Sequence, residues 1–426
     1  MALLPAAVAA AGPKSSKPTS AGALRFTGCV AQHAAAGCSG LAAGSLVGAT
    51  GIAVSTDGRN VYATSYGADT VTTFARGAGG RLRFHGCIAN GGAGGCATAP
   101  GEPLRGAAGI AVSPSGGDVF VASGLAESVS RLSRDASGAL SFASCISDRP
   151  VAGCAALTSP GILAGATAVA LGPGGDDVYV ASVDAGTIAH LALAADGSLQ
   201  LRDCVSGGGV EGCRRLRGNS MAGADALAVS RDGRWLYATS YASNALSRFR
   251  IGASGALAFR GCIADGGANN CAELPHGSLS GAAGVAVSRN GRDVYVASQV
   301  GTVVRLKARR NRGFKFAGCI ADRASAGCPA APRPVLSQAT GVAVSPDGRD
   351  LYVTSQKAGA IADLRPGRRG GLLFADCVAA SGAHRCARAA PFALRGAYAL
   401  ALSPNGRSVY ATAARGQAVA SFARRR

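Results

Sequence analysis

Read as apolar and polar positions, the chain is a succession of short hydrophobic runs broken by turn residues every six to ten positions, with no sustained helical period. The run Ile52-Ala53-Val54 is followed by Asp57-Gly58, a dipeptide that turns a hairpin at little steric cost. Next comes "NVYATS", rich in β-branched and aromatic residues, then "TVTTFARG" and "RLRFHGC", each set off by polar or glycine-containing turns. This spells four strands in an antiparallel meander.

The same unit returns. "GIAVSTDGRNVYATS" begins at Gly51, and its relatives begin at Gly109, Ala168, Ala226, Gly284, Gly341 and Ala399, in steps of 57 to 59 residues. Seven units of four strands predict an all-β, seven-bladed β-propeller with four-stranded antiparallel blades. The chain ends after a third strand, "AVASFARRR", and begins, past residue 22, with an orphan fourth strand, "ALRFTGC". Pairing the two completes the last blade and closes the ring without an exposed sheet edge. The expected organisation is a signal-like segment and linker over 1–21 and one propeller domain over 22–426, with a monomer as the expected species.

The second-strand signatures "YATS", "FVAS", "YVAS" and "YVTS", following turns of the "SPDGR" type, resemble the YVTN-repeat propellers of the lactonase-like group. The resemblance runs from about Gly22 to the C-terminus. It implies the seven-bladed fold, and among its activities it implies sugar-lactone hydrolysis, lactone cyclisation, or exported proteins without assigned chemistry. The catalytic His, Glu and Arg pattern of such enzymes does not map onto this chain residue by residue.

Fourteen cysteines fall into seven pairs, each nine residues apart: Cys29 and Cys38, Cys87 and Cys96, Cys145 and Cys154, Cys204 and Cys213, Cys262 and Cys271, Cys319 and Cys328, Cys377 and Cys386. An even count at strict spacing reads as a disulfide framework made in an oxidising compartment. A zinc site would require four ligands from tighter pairs. The five histidines do not recur with the repeat, so no metal and no cofactor is expected. The first twenty residues, "MALLPAAVAAAGPKSSKPTS", have the apolar and small-residue character of a secretory leader without its basic start. A secreted or otherwise extracytoplasmic bacterial protein is the expectation. No apolar run is long enough for a transmembrane helix.

Propellers commonly hold ligands at the mouth of the central channel on the long-loop side. The residues entering each innermost strand are Thr50, Ala108, Thr167, Asp225, Ala283, Thr340 and Tyr398. Ester hydrolysis there requires a general base and a stabiliser for the developing oxyanion. Asp225 is the candidate base and Tyr398 a hydrogen-bond donor, with Arg105 and Arg395 the nearby cations. Equally, Asp225 suits a solvated loop carboxylate and Tyr398 a channel-filling ring.

Charge points to the opposite face. The formal net charge is +20, and the third turns carry Arg76 and Arg81, Lys307, Arg309, Arg310 and Arg312, and Arg365, Arg368 and Arg369, with Arg424 near the C-terminus. These belong to blades 1, 5, 6 and 7, consecutive once the ring closes. Such an arc suits an anionic cell-envelope polymer or another anionic partner, a protein among them, through the planar arginine fork. It equally suits a surface kept soluble by charge. With one tryptophan in the chain and no aromatic platform beside the basic segments, nucleic-acid readout is not supported. The leading expectation is a secreted, disulfide-stapled binding or scaffold module, and the alternative a lactonase-like hydrolase at the channel mouth.

Overall fold

The computed structural model describes residues 21–425 except 35–36, 42–43, 275–276, 310–312, 326 and 369. Seven sheets form a ring. In blade 1 the innermost strand is Ala49–Val54, followed outward by Asn60–Ser65, Thr70–Arg76 and Leu82–Asn90. The other blades repeat this order. Leu24–Ala31 pairs antiparallel with Ala418–Arg424, from Leu24 opposite Arg424 to Ala31 opposite Ala418, so the first strand of the chain completes the last blade.

Each second strand is almost wholly buried, as in Asn60–Ser65. Successive side chains point to opposite faces of a strand, and here each face meets a different neighbouring blade. Val61 and Ala63 pack with Tyr410 and Val419 of blade 7, whereas Tyr62 packs with Val119 and Val121 of blade 2. Burial on both faces explains why these strands read as near-continuous apolar runs instead of alternating.

The first turn of each blade is held by its own sequence. The Asp57 carboxylate accepts from Ser55 Oγ (2.6 Å) and from the Arg59 amide (2.9 Å), while Ser55 Oγ accepts from the Asn60 amide. Gly58 supplies the positive φ of 69°. The same bonds recur at Ser230 with Asp232, Ser288 with Asn290, Ser345 with Asp347 and Ser403 with Asn405.

All seven cysteine pairs are disulfides, with Cα–Cα distances from 4.6 to 5.1 Å. They also add to the four antiparallel strands of each blade. Past the outer strand the loop turns back and adds a short fifth strand in parallel, such as Ala97–Ala99 beside Ile88 to Asn90. Six blades carry this strand, and blade 5 has a bridge between Ala321 and Ala330 in its place. Positive φ at Gly92 and Gly95 makes the reversal possible in blade 1. Such a framework fits an oxidising, extracytoplasmic environment. No helix among the described residues is long and apolar enough to cross a membrane. The signal-like segment, residues 1–20, lies outside the described residues.

Candidate functional site

Neighbouring innermost strands approach one another closely at their glycines. A Cβ on Gly51 would lie 2.2 Å from the Ala108 carbonyl oxygen, and one on Gly284 would lie 2.1 Å from that of Thr340. Four second strands carry a threonine where the others carry alanine, and each hydroxyl ties the channel wall together. Thr64 Oγ1 accepts from the Gly51 amide and donates to the Ala108 carbonyl of the next blade. Thr239, Thr354 and Thr412 repeat the arrangement. In these four blades the register between innermost and second strand skips two residues, as between Ala49 and Ile52. In the three alanine blades it skips one. The hydroxyl takes over a bond that the strand ladder otherwise makes.

On the long-loop side the channel opens into a pocket of about 230 Å³ lined by Thr50, Ala108, Thr167, Asp225, Ala283, Thr340 and Tyr398, with Ala, Gly, Val and Leu residues of the innermost strands below. The threonine hydroxyls are engaged with backbone carbonyls, Thr340 Oγ1 with that of Tyr398 at 2.8 Å and Thr167 Oγ1 with that of Asp225 at 3.1 Å. Asp225 is half-buried, and loss of solvent pushes its carboxyl up to about 7, with no neighbouring charge or hydrogen bond acting on it. Burial, and then the charge of Asp225, raise the Tyr398 phenol. Acid and phenol therefore share one cavity. Arg105 and Arg395 are not among its lining. Both are exposed, and Arg105 sits 3.7 Å from Glu102. The mouth thus holds a weak acid poised near neutrality and a phenol, but no cation to receive a developing oxyanion.

The opposite face carries the first and third turns, and there the arginines divide into two kinds. The first kind is internal. Arg134 Nε donates to Tyr62 Oη of the preceding blade (2.7 Å), while its other nitrogens reach Gly116 O, Asn60 Oδ1 and Asp57 Oδ2. Arg76 makes the corresponding bonds to Tyr410, Gly58 and Ser408, and Arg424 those to Tyr352, Asp350 and Asp347. Arg76 and Arg424, expected as free cations, are therefore latches between blades. Arg365 is bound to Asp350 and to the Ala21 carbonyl.

The second kind is exposed. Arg309 and Arg368 lie in this class, as does Arg81. Arg310, Arg312 and Arg369 lie outside the described residues. Between blades 4 and 5 the surface opens into a cleft of about 820 Å³ whose cations are Arg234, Arg248, Arg250, Arg292, Lys307 and Arg309, with Asp232 the acidic residue of its lining. Lys307 is paired with Asp293 at 2.7 Å. A second cleft, of about 1010 Å³, gathers Arg289, Arg349, Arg365, Arg368, Arg424 and Arg425 around Asp347 and Asp350. Sequence reasoning missed Arg234, Arg250 and Arg292. The signal was present: an arginine follows the Asp-Gly or Asn-Gly turn in five blades, at Arg59, Arg234, Arg292, Arg349 and Arg407, and all five are exposed on this face. Among the described residues no three His, Cys, Asp or Glu side chains gather as metal ligands would.

No family model and no curated protein matches the chain. Its likeness is to solved structures. A putative 6-phosphogluconolactonase from Bacteroides uniformis is 17% identical, with a TM-score of 0.54 over 76% of this chain and 83% of the other. A periplasmic gluconolactonase from Pseudomonas aeruginosa is 17% identical, with a TM-score of 0.55 over the same shares. Hydrazine synthase from Kuenenia stuttgartiensis is 16% identical, with a TM-score of 0.54 over 88% of this chain and 95% of the other. At such identities the shared property is the fold, which hosts unrelated chemistries. The chain is a seven-bladed β-propeller, similar in fold to lactonase-like propellers such as the two gluconolactonases.

Proposed function

We propose that the protein is a secreted, disulfide-stapled binding module that takes an anionic polymer of the cell envelope on the face bearing the first and third turns. The observation that carries this reading is the cleft between blades 4 and 5, where exposed Arg234, Arg250, Arg292 and Arg309 converge from four turns and strand ends. Planar guanidinium forks suit repeated carboxylate or phosphate groups. The test is binding of the oxidised protein to immobilised anionic polymers across a salt series. Binding should weaken as salt screens the exposed charges. Replacing Arg250, Arg292 and Arg309 by Ser removes three exposed charges, each contributing a few tenths to about 1 kcal/mol; together that is roughly tenfold in affinity. Absence of binding at low salt would overturn the reading.

One observation supports a second reading, hydrolysis of a small cyclic ester at the channel mouth: Asp225 is held near neutrality in the same pocket as Tyr398. Two of the structures similar in fold, a putative 6-phosphogluconolactonase and a periplasmic gluconolactonase, favour the same chemistry. Lactone turnover abolished by Asp225→Asn would establish it, and turnover unchanged by that substitution would remove it.

A further inference from the structure

In blades 2, 3 and 5 the fourth residue of the third strand lies diagonal to the first residue of its own second strand, two positions off in register, and the two form an internal ion pair. Arg131 Nε is 2.8 Å from Asp118 Oδ1, His190 Nε2 is 2.7 Å from Asp177 Oδ1, and Arg305 Nε is 2.7 Å from Asp293 Oδ1. Blade 4 keeps the cation, Arg248, but replaces the aspartate with Trp235.

The consequence is a buried guanidinium with no carboxylate bound to it. Arg248 is 2% exposed. Its charge centre stacks 3.5 Å from the Trp235 ring centroid. Nη1 donates to the carbonyl oxygens of Arg309 and Gly313 in the third turn of blade 5, and Nε makes no hydrogen bond. Burial pushes the Arg248 pKa down, against the smaller opposing pull of the Tyr237 phenol and then of Asp232, neither of which is an ion-pair partner in contact with it. Removing a charge from water without a partner is costly, so a group that completes the pair is strongly favoured there. Arg248 and Trp235 both line the basic cleft, and Arg234, Arg250, Arg292 and Arg309 surround them.

We infer that the cleft between blades 4 and 5 contains a specific oxyanion subsite, in which a carboxylate or phosphate carried on a sugar ring takes the place of the aspartate that blade 4 lacks, with Arg248 and the neighbouring arginines as its hydrogen-bond donors and Trp235 as the wall for the ring. This rests on the proposed polymer-binding function and names its point of recognition. The recess favours a polymer that projects single anionic groups over a membrane surface, which presents a flat array. An aromatic wall beside a few placed polar groups is the composition of a ligand pocket.

Trp235 is the sole tryptophan, so its emission reports on this cleft and nowhere else. The experiment titrates the oxidised protein with polygalacturonate, with a sugar-phosphate polymer, and with free galacturonate and inorganic phosphate, at constant ionic strength. A saturable change in emission is expected, and which polymer gives it at lower concentration identifies the oxyanion. Trp235→Asp restores the internal pair of blades 2, 3 and 5; it should keep the fold, shown by an unchanged circular dichroism spectrum, and weaken polymer binding in a filter assay roughly tenfold or more. Arg248→Gln should weaken it similarly and serves as the second variant. Polymer binding equal in wild type and Trp235→Asp, with silent Trp235 emission, would overturn the subsite while leaving the basic face as the binding surface. If no polymer binds, a saturable response to galacturonate or phosphate still supports the subsite, and no response overturns it. An oligonucleotide that shifts the emission at lower concentration than either glycan would overturn the assignment of the occupant.

Discussion

Asp363 should make the protein lose stability as the solution turns alkaline, and Asp363→Asn should remove most of that loss. It stands at the position that holds Arg131, Arg248 and Arg305 in other blades, opposite Tyr352 on one side and Asp376 on the other. It is 2% exposed, and neither carboxylate oxygen has a hydrogen-bond partner. Burial, then Asp350 and Asp376, raise its carboxyl to about 8, against the smaller opposing pull of Arg365 and Arg424. A folded-state value above the unfolded one means that the folded protein binds the extra proton. The contribution is therefore fully present below about pH 4 and falls as pH rises through about 8. Between about pH 5 and about pH 8.5 the wild type should lose up to about 4 kcal/mol through this group alone. With an unfolding entropy of about 2 cal/mol/K per residue, that corresponds to roughly 5 °C in Tm for a chain of this size. Thermal melts of wild type and Asp363→Asn at both pH values isolate the effect, because every other titration cancels in the difference. The asparagine variant should gain on the wild type by that amount at the higher pH relative to the lower. A difference between the two proteins that stays within about 1 °C across the range would refute the reasoning and place the carboxylate in contact with solvent.

Replacing Cys87 and Cys96 together with Ser should cost about 3 kcal/mol by loop entropy and lower Tm by a few degrees with the propeller still formed; melts and near-ultraviolet spectra check this, and thiol titration of the unreduced wild type should find no free thiol among the described cysteines. Gly284→Ala places a Cβ 2.1 Å from the Thr340 carbonyl and should cost about 2–3 kcal/mol, whereas Gly291→Ala, with φ of 67° but nothing within 4 Å, should cost only about 1 kcal/mol; denaturant midpoints separate the two. Arg134→Gln removes bonds to Tyr62, Asn60, Asp57 and Gly116 and should destabilise by about 2–3 kcal/mol, while Arg59→Gln on the exposed turn should change stability by less than about 0.5 kcal/mol.

What could be read from the sequence was whatever the repeat enforces seven times. Backbone geometry is common to all blades, so the strand order, the closing strand, the cysteine pairs and the ring of residues at the channel mouth follow from register alone. The fifth strand escaped because "ATA" at Ala97 to Ala99 has no periodicity of its own; the disulfide that brings Cys96 beside the outer strand sets it there. The arginines escaped for a different reason. Arg76 ends a third strand and Arg309 begins a third turn, one position apart in repeat register, and nothing in their type separates them. Yet the first lies against the tyrosine of the preceding blade and the second points to solvent. Counting cations along the chain therefore overstated the arc at blades 1 and 7 and understated the cleft at blades 4 and 5. The informative residues were those that break the repeat. Trp235 stands where blades 2, 3 and 5 have aspartate, and Asp363 where blades 2 to 5 have arginine or histidine. In a structure built of seven near-copies, each copy shows what its neighbour's residue should be bonded to: Trp235 leaves its partner Arg248 without the carboxylate that the fold otherwise supplies, and Asp363 is itself left without a hydrogen bond.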